Sequence, residues 1–332
     1  MARARTGILS TGSYVPKNEV GNDEVAGRVG VTPDWIERKT QIRSRRYAAP
    51  HEATSDLAVR AGAAALAQAG LTADRLDYII VATSTGDFPQ PPTSCLVQDG
   101  LDARSAACFD INAVCSGFVY ALALADSLVT VRPDALALVI GADVYSRILD
   151  FDDRRTAVLF ADGAGAAIVG AVPAPYGIVG VELASRGDAH QLIRVEAGGS
   201  RTPASAETVA TGGHFFRMDG RGVRDFVADQ VPRALSGLAE RVGVPLDQVR
   251  HFVPHQANGV MLDDLVVRAG LGNATTHRTL HKYGNMGSAS VPVALDEANR
   301  DGALHPGDLV LLTGFGGGMS IGASLLTWGA AA

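Results

Sequence analysis

A chain of 332 residues is long enough for about two domain-sized units or one large fused core. With 47% hydrophobic against 19% charged residues it reads as globular, and a net charge of −6 gives no electrostatic reason to expect nucleic acid or an anionic membrane as a partner. Three cysteines (Cys95, Cys108 and Cys115) form neither a disulfide framework nor a C-x-x-C metal pair; they point to a reducing, cytoplasmic setting, with no metal or cofactor expected.

The opening MARARTGILSTGSYVP is basic, but its apolar run is too short for a signal peptide. TSDLAVRAGAAALAQAG (54–70) reads as a helix with Thr or Ser at its cap and Gly at its end. LDYIIVATS (76–84) is a buried strand, FDINAV ends another just ahead of Cys115, and SGFVYALALADSLV continues as a helix. ALALVIGAD (135–143) and AAIVGAV (166–172) are further strands. The segment 174–207 is rich in turn residues and separates two α/β blocks, which places a boundary near residue 172: an N-terminal half, 1–172, and a C-terminal half, 173–332. In the second half, 223–243 has helical spacing with a kink expected at Pro232, while HFVPH (251–255) and DLVLLTGFGGG (308–318) are strands. This alternation predicts helices layered on sheets. No run of ~18 uninterrupted apolar residues is present, so no membrane-spanning helix is expected. The glycine-rich pieces match neither a phosphate loop nor a dinucleotide fingerprint and read as tight turns.

The informative stretch is CFDINAVCSGFVYALALAD. A helix N-terminus carries unpaired N–H groups and partial positive charge, so a thiol placed there is expected to ionise more readily than a free cysteine. Cys115 sits at that seam, beside the small Ser116 and Gly117, where its own N–H can also face an oxyanion. A buried cysteine is more often a small core residue, and local sequence leaves both readings open. In the second half His255 ends a strand and Asn285 lies in a turn before a helix, so Cys, His and Asn stand in chain order, each at an element junction.

STGSYVP, DWIERKTQIRSRRYA, DINAVCSGFVYAL, FADGAGAA, VPHQAN, KYGNMGSASVPVALDEA and GDLVLLTGFGGGMSIGA together make the chain resemble β-ketoacyl-acyl-carrier-protein synthase III almost end to end. The resemblance implies a thiolase-like fold, two similar α/β halves in five layers, as a homodimer. It implies an acyltransferase that primes fatty acid or polyketide synthesis, with an acyl-CoA and a malonyl thioester, on carrier protein or CoA, as substrates. It makes Cys115 the acyl-accepting nucleophile and His255 with Asn285 the pair that handles the malonyl group. The N–H groups of Cys115 and Gly317 form the oxyanion hole. Trp35 and Arg154 are placed about the CoA adenine, Lys39 stands where the family has Arg, and Asn258 and Phe315 complete the substrate contacts. Degradative thiolases need a second late cysteine, elongating synthases a second histidine, and chalcone-synthase-like enzymes a proline in the GFGGG loop; this chain has none of these.

Two features depart from the family. Val260 stands where a carrier-docking Arg is common, and Arg268 is the sole base nearby, with Asp263 and Asp264 beside it. In the primer-pocket segment 85–95, Gln90 and two prolines replace the common Phe-Pro pair. These leave open a second reading, transfer of the acyl group to an alcohol or amine; the retained Asn285 favours condensation.

Overall fold

The computed structural model describes residues 5–329; Arg3 of the basic opening lies outside them. The first half runs β1 (Arg5–Tyr14), β2 (Asn18–Gly21), α1 (Asn22–Val29), α2 (Pro33–Thr40), β3 (Ser44–Tyr47) and α3 (Thr54–Ala69). It continues with β4 (Tyr78–Ala82), α4 (Thr93–Gly100), β5 (Ala107–Ile111), α5 (Gly117–Val131), β6 (Ala137–Val144) and β7 (Asp162–Val172). The second half opens with β8 (Gly177–Ser185), β9 (Ile193–Val195), α6 (Ala206–Ala210), β10 (Phe216–Met218) and α7 (Gly220–Val242). After it come β11 (His251–Pro254), α8 (Gly259–Arg268), β12 (Thr275–Thr276), α9 (Leu280–Tyr283), α10 (Ser290–Arg300), β13 (Leu309–Gly316) and β14 (Ser320–Thr327).

Two five-stranded sheets carry the fold, ordered β1-β7-β6-β4-β5 and β12-β11-β13-β14-β8. Strand alternation explains the layering. Ile79, Val81, Leu138, Ile140 and Ile168 point outward onto Leu57, Ala58, Ala61 and Ala65 of α3. Their neighbours Ile80, Val139, Ala167 and Val169 point inward and meet Phe118, Val119 and Leu122 of α5. The second sheet repeats this: Val310 and Leu312 face α5 and α10, whereas Leu311 and Phe252 face Val227, Val231 and Leu235 of α7. The result is helix, sheet, helix, sheet, helix, the five-layer arrangement of the thiolase-like fold.

Two expectations change. The turn-rich segment after residue 172 contains a nine-residue strand, β8, paired with β14; its Gly and charged residues mask a half-exposed edge strand. Helix α7 runs through Pro232 as one element. The stretch Val114–Val131 does pass a length-and-composition test for crossing a membrane. Its apolarity has another cause: α5 lies between two sheets, and Phe118, Val119, Ala121, Leu122 and Ala125 are all fully buried.

Candidate active site

β5 ends at Ile111, and a 3-10 turn, Val114–Ser116, precedes α5. Val114 takes φ 48°, a left-handed conformation that costs a β-branched residue about 1–3 kcal/mol. This tight reversal tucks Cys115, only 5% exposed, beneath the end of β13. A Cβ on Gly316 would lie 2.8 Å from the Cys115 Cβ, 3.0 Å from its N and 3.2 Å from its Sγ, so only glycine fits there. Gly317 covers the same turn, since a Cβ on it would meet Val114 and Ile193 at 3.2 Å. Ser116 Oγ, 2.6 Å from Ser320 Oγ, fastens the turn to β14.

The expectation of an easily ionised thiol is corrected. Burial pushes the Cys115 thiol up to about 12, and the charge of Asp143 adds to it; hydrogen bonds from Tyr145 and from the Cys115 N–H pull the other way. In this closed site desolvation outweighs the helix end.

The groups around the thiol are polar and connected. Tyr145, 1% exposed, stacks on Phe160 at 4.7 Å and meets Phe216 edge-on at 5.5 Å. The Tyr145 hydroxyl lies 3.0 Å from Ser84 Oγ, which lies 3.0 Å from Asp143 Oδ1. Asp143 is fully buried at the end of β6. Its Oδ1 also accepts from the Ser84 N–H at 2.9 Å and the Thr85 hydroxyl at 2.9 Å, and its Oδ2 accepts from the Ser288 N–H at 2.8 Å and hydroxyl at 2.7 Å. Burial raises the Asp143 carboxyl above its ordinary range, and these donors oppose that shift.

Ser288 belongs to the turn that carries Asn285. Strand pairing with Phe160 and backbone bonds to Leu159 and Ala161 lock Asn285 in place. Its Oδ1 accepts the Gly287 N–H at 3.0 Å, which leaves the NH₂ end as the free donor. Gly287 (φ +56°) is required, because a Cβ there would lie 2.4 Å from both Asp143 Oδ2 and Tyr145 Cε2. His255 follows β11, and its N–H donates to the Thr313 carbonyl at 2.7 Å. Its ring lies edge-on to Phe315 at 5.3 Å, and its Nδ1 is buried without a hydrogen-bond partner. Burial pulls His255 down to about 3, so the ring is neutral at neutral pH.

The structure thus gathers Cys115, Gly316, Gly317, Asn285, His255 and the buried Phe315 at the seam of the two sheets. The remaining predicted residues lie elsewhere. Asn258 spends both ends of its amide inside the protein: Oδ1 caps α8 through Val260 N (2.9 Å) and Met261 N (3.2 Å), and Nδ2 donates to the Lys39 carbonyl at 3.0 Å. Trp35 is half-buried against the core beneath α2, and Lys39, Arg154 and Gln90 are exposed. None of these four lines the 260 Å³ cavity beside the thiol, which is walled by Ser84, Asn112, Val114, Tyr145, Ile193 and Phe216, among others. Sequence reasoning missed Asp143, Tyr145, Ser84 and Ser288. The available signal was a lone carboxylate closing the otherwise apolar run ALALVIGAD.

Two family models match, described as 3-oxoacyl-[acyl-carrier-protein] synthase III over residues 109–187 and its C-terminal part over 239–328. The chain is 51% identical to an acetoacetyl-CoA synthase of Streptomyces sp. (strain CL190), over 99% of this chain and 100% of that one. It is 42% identical to a β-ketoacyl-[acyl-carrier-protein] synthase III of Symbiobacterium thermophilum, over 97% and 98% of the two chains. Among solved structures, the priming β-ketosynthase of the R1128 polyketide pathway superposes with a TM-score of 0.91 at 34% identity, over 98% and 97% of the chains.

Proposed function

The chain belongs to the 3-oxoacyl-[acyl-carrier-protein] synthase III family, and from that premise we propose that it loads a short acyl group from acyl-CoA onto Cys115 and condenses it decarboxylatively with malonyl-CoA. The observation that carries this reading is the meeting of a buried thiol, a neutral His255 and the free amide end of Asn285 at one seam.

The chemistry follows from those groups. Attack by Cys115 sulfur on the acyl thioester gives a tetrahedral oxyanion, which the N–H groups of Cys115 and Gly317 receive, and CoA leaves. Malonyl thioester then loses carbon dioxide, and the negative charge moves to its thioester oxygen as an enolate. Neutral imidazole and the Asn285 NH₂ both donate to that oxygen. The enolate carbon attacks the acyl-cysteine carbonyl, Cys115 departs, and a β-ketoacyl thioester is released.

The thioester that survives in the product is that of the extender, since the new bond forms at its α-carbon. A product such as acetoacetyl-CoA therefore requires malonyl-CoA, and the 51% identity to an acetoacetyl-CoA synthase supports that choice. The surface supports it too. Val260 is exposed where a docking base is expected, Arg268 is paired with Asp264 at 2.6 Å, and Arg278 with Asp263 at 2.7 Å, so α8 offers little uncompensated positive charge to an acidic carrier.

We further infer a homodimer joined through β5. This strand lies at the sheet edge, and its one charge, Asp110, is turned inward to cap α4 through Thr93 N at 2.7 Å and Ser94 N at 2.8 Å. Incubation with acetyl-CoA and either malonyl-CoA or malonyl-carrier protein tests the whole reading. Carbon dioxide and acetoacetyl-CoA are expected with malonyl-CoA, and no acetoacetyl-CoA with Cys115→Ala. Turnover only with the carrier would overturn the extender assignment. Acyl transfer to an alcohol or amine without carbon dioxide release would overturn condensation.

A further inference from the structure

We propose that Asp143 is a positioning residue: it holds the turn that fixes which end of the Asn285 amide faces the substrate. The inference rests on Asn285 as a donor to the enolate oxygen and concerns what keeps its NH₂ end in place. The two ends of an asparagine amide are nearly alike in shape, and turned end for end it presents an acceptor to an oxygen that needs a donor.

One bond sets that orientation, from the Gly287 N–H to Asn285 Oδ1 at 3.0 Å. The next N–H along the chain, that of Ser288, donates to Asp143 Oδ2 at 2.8 Å. The Ser288 hydroxyl lies 2.7 Å from the same oxygen and 2.8 Å from the Ala82 carbonyl, so it bridges the ends of β6 and β4. Gly287 joins the two N–H groups at φ +56°; the peptide before it answers to Asn285 and the peptide after it to Asp143. Packing around this turn is close, since a Cβ on Gly287 would collide with Asp143 Oδ2 and one on Gly141 with the Ser288 carbonyl oxygen.

Asp143 closes β6 in the half that holds Cys115, whereas Ser288 leads into α10 in the half that holds His255. Its other oxygen, Oδ1, accepts the Ser84 N–H at 2.9 Å and the Thr85 hydroxyl at 2.9 Å. One fully buried carboxylate therefore carries the register of the first half across to the Asn285 turn. Gly117, two residues after Cys115, belongs to the same contact: a Cβ on it would lie 3.0 Å from Ala82 Cβ and 3.6 Å from Ser288 Cβ. Each Asp143 oxygen faces a backbone N–H, so both ends must accept. An amide in its place sets an NH₂ group against the N–H of either Ser84 or Ser288 and leaves that donor unpaired.

The test separates two steps in Asp143→Asn and in Ser288→Ala, the milder variant, which keeps the backbone bond and carries the test alone if the amide does not fold. Intact mass after acetyl-CoA reads loading of Cys115, and carbon dioxide release from malonyl-CoA by the acetyl-enzyme reads decarboxylation. Loading should stay within about threefold of wild type, while kcat for decarboxylation falls roughly tenfold to a hundredfold in Asp143→Asn and less in Ser288→Ala. The KM for malonyl-CoA should stay put, as for a donor displaced from the transition state. Double variants give the readout that general loosening would not: either substitution should add no further loss in Asn285→Ala but a further loss in His255→Ala. Wild-type decarboxylation in both variants, an equal loss of loading, or a further loss in Asn285→Ala would overturn the positioning role while leaving Asn285 as a donor. Wild-type decarboxylation in Asn285→Ala itself would overturn the donor, and the positioning role with it.

Discussion

The two sheets bring unlike things to their shared seam. From the first come Cys115 and, beside it, Tyr145, Ser84 and Asp143, whose side-chain oxygens are hydrogen-bonded in series. From the second comes His255, whose Nδ1 has no partner and whose ring rests on the hydrocarbon edge of Phe315. Asn285 lies between these extremes, with its oxygen spoken for and its NH₂ end free. Buried polar atoms left unpaired cost free energy, about 1–3 kcal/mol each, so they persist where something outside the resting protein completes them. The closed network suits a fixed frame beside the protein's own sulfur, and the open donors suit an oxygen that arrives with substrate.

That contrast breaks if the two sides cannot be separated by mutation. His255→Ala and Asn285→Ala should still take an acyl group onto Cys115 but lose malonyl decarboxylation by roughly 10²–10³ each, the typical cost of one donor to a developing oxyanion. Intact mass after acetyl-CoA, alongside carbon dioxide release from malonyl-CoA, reads both steps. A variant that fails to load yet decarboxylates normally would show the division to be drawn wrongly.

A smaller effect sharpens the first side. The Tyr145 ring fills space beside the thiol and forms one wall of the 260 Å³ cavity there. Tyr145→Leu should open that space and shift the preference between a six-carbon and a two-carbon acyl-CoA by roughly tenfold toward the longer, measured as the ratio of kcat/KM values. An unchanged ratio would mean that chain length is limited elsewhere.

Much of this was legible in the sequence because the chemistry is local in the chain. DINAVCSG, VPHQAN and KYGNMGS each place one proposed site residue at an element junction: Cys115 in the turn before α5, His255 just after β11, and Asn285 just before the turn that leads into α10. The alternation in LDYIIVATS and ALALVIGAD likewise marked strands covered on both faces. What could not be read depends on distances across the fold. Asp143 meets Ser84, 59 residues before it, and Ser288, 145 residues after it, and no local pattern announces such a meeting. The pKa of Cys115 departs from its sequence expectation for the same reason: the helix end is visible in sequence, but the burial that overrides it is not. Strand β8 was hidden because an edge strand with Gly177, Gly180 and Glu182 reads like a loop until β14 pairs with it.

The smallest effect concerns stability, and it tests whether His255 is held neutral by its surroundings. An unfolded histidine titrates near 6.5, whereas burial in the fold lowers His255 to about 3. Between those values the unfolded chain binds a proton that the folded chain refuses. The stabilisation is therefore present above pH 6.5 and is lost as pH falls toward 3, at about 1.4 kcal/mol per pH unit. His277, lowered to about 4 by burial and then by neighbouring His251, acts in the same direction. Asp162 acts oppositely: burial raises it to about 6, so its contribution is present below its ordinary value of 3.8 and is lost as pH rises through 6. Asp162 cancels part of the histidines' slope below pH 6, and the raised carboxyls of Asp143 and Asp126 act in the same direction as Asp162. His255→Asn removes one titrating group from this sum while leaving a similar polar volume. Denaturant unfolding from about pH 7 to 5 should show the wild type losing stability on acidification and the variant losing less, by up to that one-proton slope. Parallel curves would mean that the folded protein admits a proton at His255 as readily as the unfolded chain does, and the open, neutral donor on the second side of the seam would then be wrong.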